Sequence, residues 1–233
     1  MRLATTDKER EENEMPRKQT RLWGLISRKS RWGLTIRGWL GILLAIALLF
    51  FLALFKLQPF LAHTAPIEAE VLIVEGWIGD EALKGAIAEY ESQSYELLIT
   101  AGSDFGRGEA LTEFKNFANL SRASLVAFGF DPKKIQPIRT PVVQRDRTLN
   151  SAGAVKKWLK LNMSQVTGVN IYSENVHARR SWLVYRKVFE PEIRVGVIAH
   201  PALTYDPQRW WASSDGFKRV IAECISYLYT VFL

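Results

Sequence analysis

Residues 70–80 read Glu-Val-Leu-Ile-Val-Glu-Gly-Trp-Ile-Gly-Asp. A short apolar run, mostly β-branched, leads into a carboxylate, a glycine turn and an Asp suited to open a helix. This pattern predicts a strand over Glu70–Val74 and a helix from Asp80, with Leu83, Ala86, Ile87 and Tyr90 on one face. The same unit recurs along the chain. Further strands are expected at Glu96–Thr100, Ile135–Ile138, Gly168–Tyr172 and Arg194–Ile198. Between them, Ser121 is expected to cap a helix that stops at Gly129. Asp146 or Thr148 should start Leu149–Leu161, and Asn175 should start Val176–Phe189. Strands alternating with helices of this length imply α/β architecture: a Rossmann-like, doubly wound, mostly parallel sheet over residues 62–233. A last helix over Ser213–Leu233 is expected to pack on that sheet, with shallow membrane contact as a second option for its apolar end.

Working outward toward the N-terminus, Gly38–Phe55 holds eighteen residues without a charge, bounded by Arg37 and Lys56. At 1.5 Å per residue it reaches roughly 27 Å, and Leu57–Leu61 extends it across a bilayer core of about 30 Å. We therefore expect one transmembrane helix over 38–61, uncleaved, because the exit Ala62-His63-Thr64-Ala65 is a poor signal-peptidase site. Residues 1–38 carry ten Lys or Arg against five Asp or Glu, whereas 62–233 carry twenty against nineteen. The excess basicity is a property of the flank, which places residues 1–37 in the cytoplasm and 62–233 outside. It argues for the lipid bilayer as a partner and against nucleic acid. Residues 15–38 are expected either to lie on anionic lipid as a basic amphipathic helix or to be a solvated tail, and residues 1–14 to be disordered.

Composition narrows the chemistry. A single cysteine, Cys224, excludes an intramolecular disulfide, and three histidines leave little material for a metal centre. There is no G-x-G-x-x-G after the first strand, no G-x-x-x-x-G-K-[ST] and no G-x-S-x-G. These absences leave cofactor and catalytic residues unassigned. In an open α/β sheet, ligands bind beyond the carboxyl ends of the strands, where helix N-termini offer free N–H groups. The strand exits here hold Glu75, Gly76 and Asp80, then Gly102, then Arg147, Thr148 and Asn150, then Glu174, His177 and Arg180. We take these ten as the candidate ligand-binding set. The glycines would admit close backbone approach, and the cationic and hydroxyl groups suit a phosphate, pyrophosphate or carboxylate.

The order of these exits resembles the SanA/ElyC/YdcF-type family of bacterial envelope proteins, a domain of unknown function. The resemblance covers most of residues 68–212. It rests on Val71–Gly76 with Asp80, on Thr100-Ala101-Gly102, and on Gly129-Phe130-Asp131-Pro132 before Ile135. It rests also on Arg147-Thr148-Leu149-Asn150-Ser151-Ala152 and on Ser173 through Ser181 with His177 and Arg180 in place. Where the family has Asn, Glu and Asn, this chain has Arg147, Asn150 and Ser151. The resemblance implies a Rossmann-like fold behind one anchor helix in the bacterial plasma (inner) membrane, and a role in the cell envelope, in peptidoglycan or lipid-carrier metabolism. Three functions stay open: binding of an anionic, phosphate-bearing ligand, lipid-linked ones included; transfer or hydrolysis of a phosphorylated sugar or nucleotide-like substrate; and a scaffold for other envelope proteins.

Overall fold

The computed structural model describes residues 20–21, 26–28, 32–106, 112–141, 143 and 145–232. The expected disorder of residues 1–14 lies outside these. The chain divides into two compact units, Met1–Ala53 and Leu54–Leu233.

In the first unit, β1 (Thr20–Arg21), β2 (Ile26–Arg28) and β3 (Trp32–Leu34) pair as an antiparallel meander, with Arg21 opposite Ile26 and Ser27 opposite Gly33. The described residues before Leu34 are thus strand, not the amphipathic helix considered above. Ile26 and Trp32 favour a pleated backbone, and Gly33 disfavours a helix. Helix α1 runs Ile36–Leu61, two residues longer at its start than the expected 38–61. It is the one helix among the described residues long and apolar enough to cross a membrane, and its most apolar window is wholly exposed.

The second unit is built on five parallel strands: β4 (Val71–Glu75), β5 (Leu97–Ser103), β6 (Ile135–Thr140), β7 (Gly168–Glu174) and β8 (Arg194–His200). Their order across the sheet is β6-β5-β4-β7-β8, every neighbouring pair parallel. The chain therefore builds outward from β4 in one direction, returns, and builds outward in the other, so the topological switch lies between β4 and β7. Each strand ends one to three residues beyond its expected boundary. The added residues, such as Ala101-Gly102-Ser103 and Ser173-Glu174, are small or polar. They carry no strand signal of their own and stay in the ladder by pairing with a neighbouring strand, Gly102 and Ser103 with β6, Ser173 and Glu174 with β8.

Alternation along the strands sorts the core into two layers. Val71, Ile73, Ile99 and Ile171 face α4 (Arg147–Asn162) and α5 (Ala178–Phe189), where Val155, Leu159, Tyr185 and Phe189 are buried. Leu72, Val74, Leu98 and Tyr172 face α2 (Asp80–Ser92) and α3 (Phe117–Ala127), meeting Leu83, Ala86, Tyr90 and Leu125. Helices on both faces cover a sheet whose central residues are mostly apolar, which is consistent with the expected fold class. Asn170 is a polar residue in the middle of β7. Its side chain donates to the carbonyl of Ile67 and to Tyr95, and accepts from the amide of Ile67, pinning the chain that enters the sheet.

Three local expectations change. Ser121 is not a cap: α3 begins four residues earlier, capped by Asn116 through the amide of Asn119, and the buried Ser121 hydroxyl donates to the carbonyl of Gly76. Asp80 stands in the first turn of α2 behind Gly79 and makes no side-chain cap. The C-terminal helix α6 (Ser214–Phe232) does not cover the sheet, both faces of which are already taken. It packs on α5, on the 3-10 turns at 175–177 and 207–212, and on the end of α1.

The last two turns of α1 belong to the second unit. Leu61 is fully buried in a third cluster with Val176, Tyr205, Trp210 and Val220. The Trp210 indole donates to the carbonyl of Leu54 at 2.7 Å. Gln58, also buried, donates to Asn175 Oδ1 at 3.0 Å, and the Asn175 amide donates to the Tyr205 hydroxyl at 2.7 Å. Gln58→Ala would leave Asn175 Oδ1 buried without a donor, at a cost of about 1–3 kcal/mol. Thermal unfolding of the full chain should show a lowered Tm for Gln58→Ala and no change for the exposed Lys157→Ala. An unchanged Tm for Gln58→Ala would mean that this contact carries no stability.

Candidate functional site

The carboxyl ends of β4 and β5, the start of α4 and the turn after β7 enclose a cleft of about 310 Å3. Glu75 lies in its wall, only 5% exposed. A buried carboxylate is tolerable when its lone pairs are met, and three groups meet them. The Ser173 hydroxyl from β7 donates to one oxygen and that of Ser181 to the other at 2.8 Å, while His177 Nε2 stands 3.6 Å away. Burial alone would raise the Glu75 pKa. The His177 charge and the hydrogen bonds from His177, Ser173 and Ser181 outweigh it and hold the carboxyl below its usual range.

His177 needs a second carboxylate, and α6 supplies it. His177 Nδ1 is 3.1 Å from Glu223 Oε2. Burial works against the charged ring, but the Glu75 and Glu223 carboxylates outweigh it and push the pKa up to about 9, which favours the imidazolium at neutral pH. Arg180 closes the series. Its Nε donates to Glu223 Oε1 at 2.6 Å, and its Nη2 lies 3.3 Å from Glu223 Oε2 and 2.9 Å from His177 Nδ1. The charges alternate Glu75, His177, Glu223, Arg180, and Trp77 sets its ring edge-on to the imidazole at 4.9 Å.

Of the ten expected residues, the cleft gathers Glu75, Gly102, Arg147, Thr148 and His177. Gly76 and Gly102 admit the start of α3, not a ligand: a Cβ would lie 3.0 Å from the Phe117 backbone at the first and 2.8 Å from the Ala118 nitrogen at the second. Asp80 is exposed on α2 and does not line the cleft. Asn150 donates back to the Asp146 carbonyl, and Glu174 turns to Arg219 at 3.3 Å. Arg180 is engaged by Glu223 outside the cleft. Sequence reasoning missed Ser103, Ser151, Trp77 and Tyr185 of the lining, and Glu223, Ser173 and Ser181 of the charge series. Ser181 and Tyr185 stand four and eight residues after His177, so helical periodicity from His177 does find them.

With His177 and Glu75 satisfied by each other and their neighbours, the hydrogen-bonding capacity left to a ligand comes from Arg147, from the Thr148, Ser151 and Ser103 hydroxyls, and from Tyr185. The Tyr185 hydroxyl is fully buried with no hydrogen-bond partner, and both burial and the nearby Glu75 charge raise its pKa. The first turn of α4 adds its amides, since Asp146 precedes it in a left-handed conformation (φ 56°) without capping it. Among the described residues, no three His, Cys, Asp or Glu side chains are grouped to hold a metal ion. Comparison with known proteins finds no family model and no curated protein that matches the chain.

The raised His177 pKa makes stability depend on pH with a definite sign. A group whose folded pKa lies above its unfolded value contributes fully below the unfolded value, about 6.5, and loses that contribution as pH rises through the folded value, about 9. The difference corresponds to about 3 kcal/mol. Denaturant unfolding at pH 6 and pH 10 should show wild type losing roughly this much more stability than His177→Gln over the same interval. Equal losses in the two proteins would contradict a buried imidazolium.

Proposed function

We propose that this chain is a membrane-anchored cell-envelope protein whose Rossmann-like domain binds an anionic, phosphate-bearing ligand in the cleft at the switch point. The observation that carries the reading is the meeting, at one cleft, of an exposed arginine, an uncapped helix start and an unpartnered buried hydroxyl, all beyond the carboxyl ends of parallel strands. Anions favour helix N-termini through the free N–H groups and the helix dipole, and a guanidinium adds charge-assisted bonds. The resemblance of the strand exits to the envelope family supports the same setting. The role assigned to His177 and Arg180 changes with the geometry: they hold the wall of the cleft, and Arg147 is the anion's cation.

Titration of the full chain with inorganic phosphate tests the site. Arg147→Ala should remove a bond worth about 1.5–3 kcal/mol and weaken binding by roughly 10- to 150-fold. Lys157→Ala should bind as wild type. Lys156 would be a poor control, because it donates to the Val188 carbonyl at 2.7 Å and pairs with Glu192 at 3.0 Å. If phosphate binds with equal affinity to wild type and Arg147→Ala, or to neither, the cleft is not an anion site and the scaffold reading replaces it.

The anchor reading places the N-terminus in the cytoplasm of a bacterium and the domain outside its plasma membrane, on the strength of the basic flank that ends at Arg37, before the uncharged Gly38–Phe55 stretch, and the lone Lys56 close behind that stretch. A reporter enzyme that is active only outside the membrane, fused after Leu233, should be active. Activity only of a cytoplasmic reporter would reverse the topology.

A further inference from the structure

Arg147 and Thr148 face two cavities at once. On one side is the cleft just described. On the other is an open groove of about 840 Å3 between the start of α4, the outer face of α5 and the C-terminal half of α6. The two spaces differ in chemistry. The cleft sets hydroxyls and the Glu75–His177 pair beside Trp77 and Phe117, whereas the groove combines several basic groups with Leu149, Ile225 and Tyr229.

The groove's charge is positive. Arg180 is neutralised by Glu223, but among the described residues of the lining Arg145, Arg147 and Lys187 face Asp146 as the one acidic side chain. Lys187 gives a hydrogen bond to the Thr230 carbonyl and keeps its charge. Beside these cations, Leu149 is 45%, Ile225 64% and Tyr229 52% exposed. Apolar side chains gathered in a concave surface that also carries cations, Arg145 and Arg147 at the start of α4 and Lys187 farther along α5, fit neither a wholly hydrophilic ligand nor a neutral lipid. An anion seated at Arg147 would stand where the two spaces meet, with one side toward the cleft and the other along α6.

We infer that the cleft and the groove together bind an amphiphilic phosphate ester, its phosphate at Arg147 and Thr148 and a single hydrocarbon chain laid against Leu149, Ile225 and Tyr229. This rests on the anion-site reading and adds the part of the ligand that lies outside the cleft. Burying the chain removes apolar surface from water on both sides, so affinity grows with chain length while the phosphate fixes the register.

The test uses the full chain in nanodiscs of zwitterionic lipid, titrated with inorganic phosphate and then with butyl, hexyl and octyl phosphate. Affinity should rise along the series by up to about fourfold per added methylene. In the double variant Ile225→Ser, Tyr229→Ser the rise should disappear while inorganic phosphate, which reaches neither residue, binds as in wild type. Arg147→Ala in the same nanodiscs should weaken every member of the series, which separates site binding from partition into the lipid. If inorganic phosphate binds through Arg147 but chain length has no effect, or its effect survives in the double variant, the amphiphile inference is wrong and the anion site stands. If no member binds in an Arg147-dependent way, the anion site itself is wrong.

Discussion

Glu75 ends the central strand almost entirely out of water, and the architecture around it is the answer to that one charge. An isolated ionised carboxylate in such a place is prohibitively unfavourable. Two serines from neighbouring elements and an imidazolium make it tolerable. The imidazolium in turn is a buried cation and needs its own partner, which α6 supplies in Glu223. Arg180 then balances Glu223. A chain of alternating charge thus begins on β4 and ends by fixing the C-terminal helix. Breaking it at any link leaves an unpaired charge, which costs more than the intact pair contributes.

This explains why the residues that drew attention in the sequence divide in their roles. A histidine and an arginine three apart at a helix start look like an anion clamp. Here each N–H of the histidine faces a protein carboxylate, and the arginine grips one of the same two. Their polarity serves the wall, which leaves the cleft with fixed hydroxyls and one exposed guanidinium. A rigid wall matters for binding because groups already held in place lose little freedom when a ligand arrives.

Most of the fold was legible because β-branched runs mark buried parallel strands and because Asp, Asn and Pro mark the turns between them. What stayed illegible follows from distance and size. Glu223 lies 46 residues after His177 on a helix that reads as amphipathic, and no local spacing links the two. Ser173 and Ser103 extend their strands without any apolar signal. Ser121 looked like a cap because a serine before an apolar run usually is one, but Asn116 took that place and left Ser121 to tie α3 to Gly76. Gln58 sits inside the most hydrophobic stretch of the chain, where its polarity looked incidental. In the structure it is buried against Asn175.

The fusion of the last turns of α1 with the second unit bears on where this protein can be divided. The apolar stretch suggests a tether that stops at Leu61, after which a free-standing domain would begin. A protease or a cloned fragment that cut there would strip one wall from the cluster around Trp210 and Val176. It would also deprive the Trp210 indole of its acceptor and expose the apolar side chains that Leu61 covers. The piece would carry exposed apolar surface at its new N-terminus, whereas a fragment that keeps the cluster covered starts inside the helix, near Leu54.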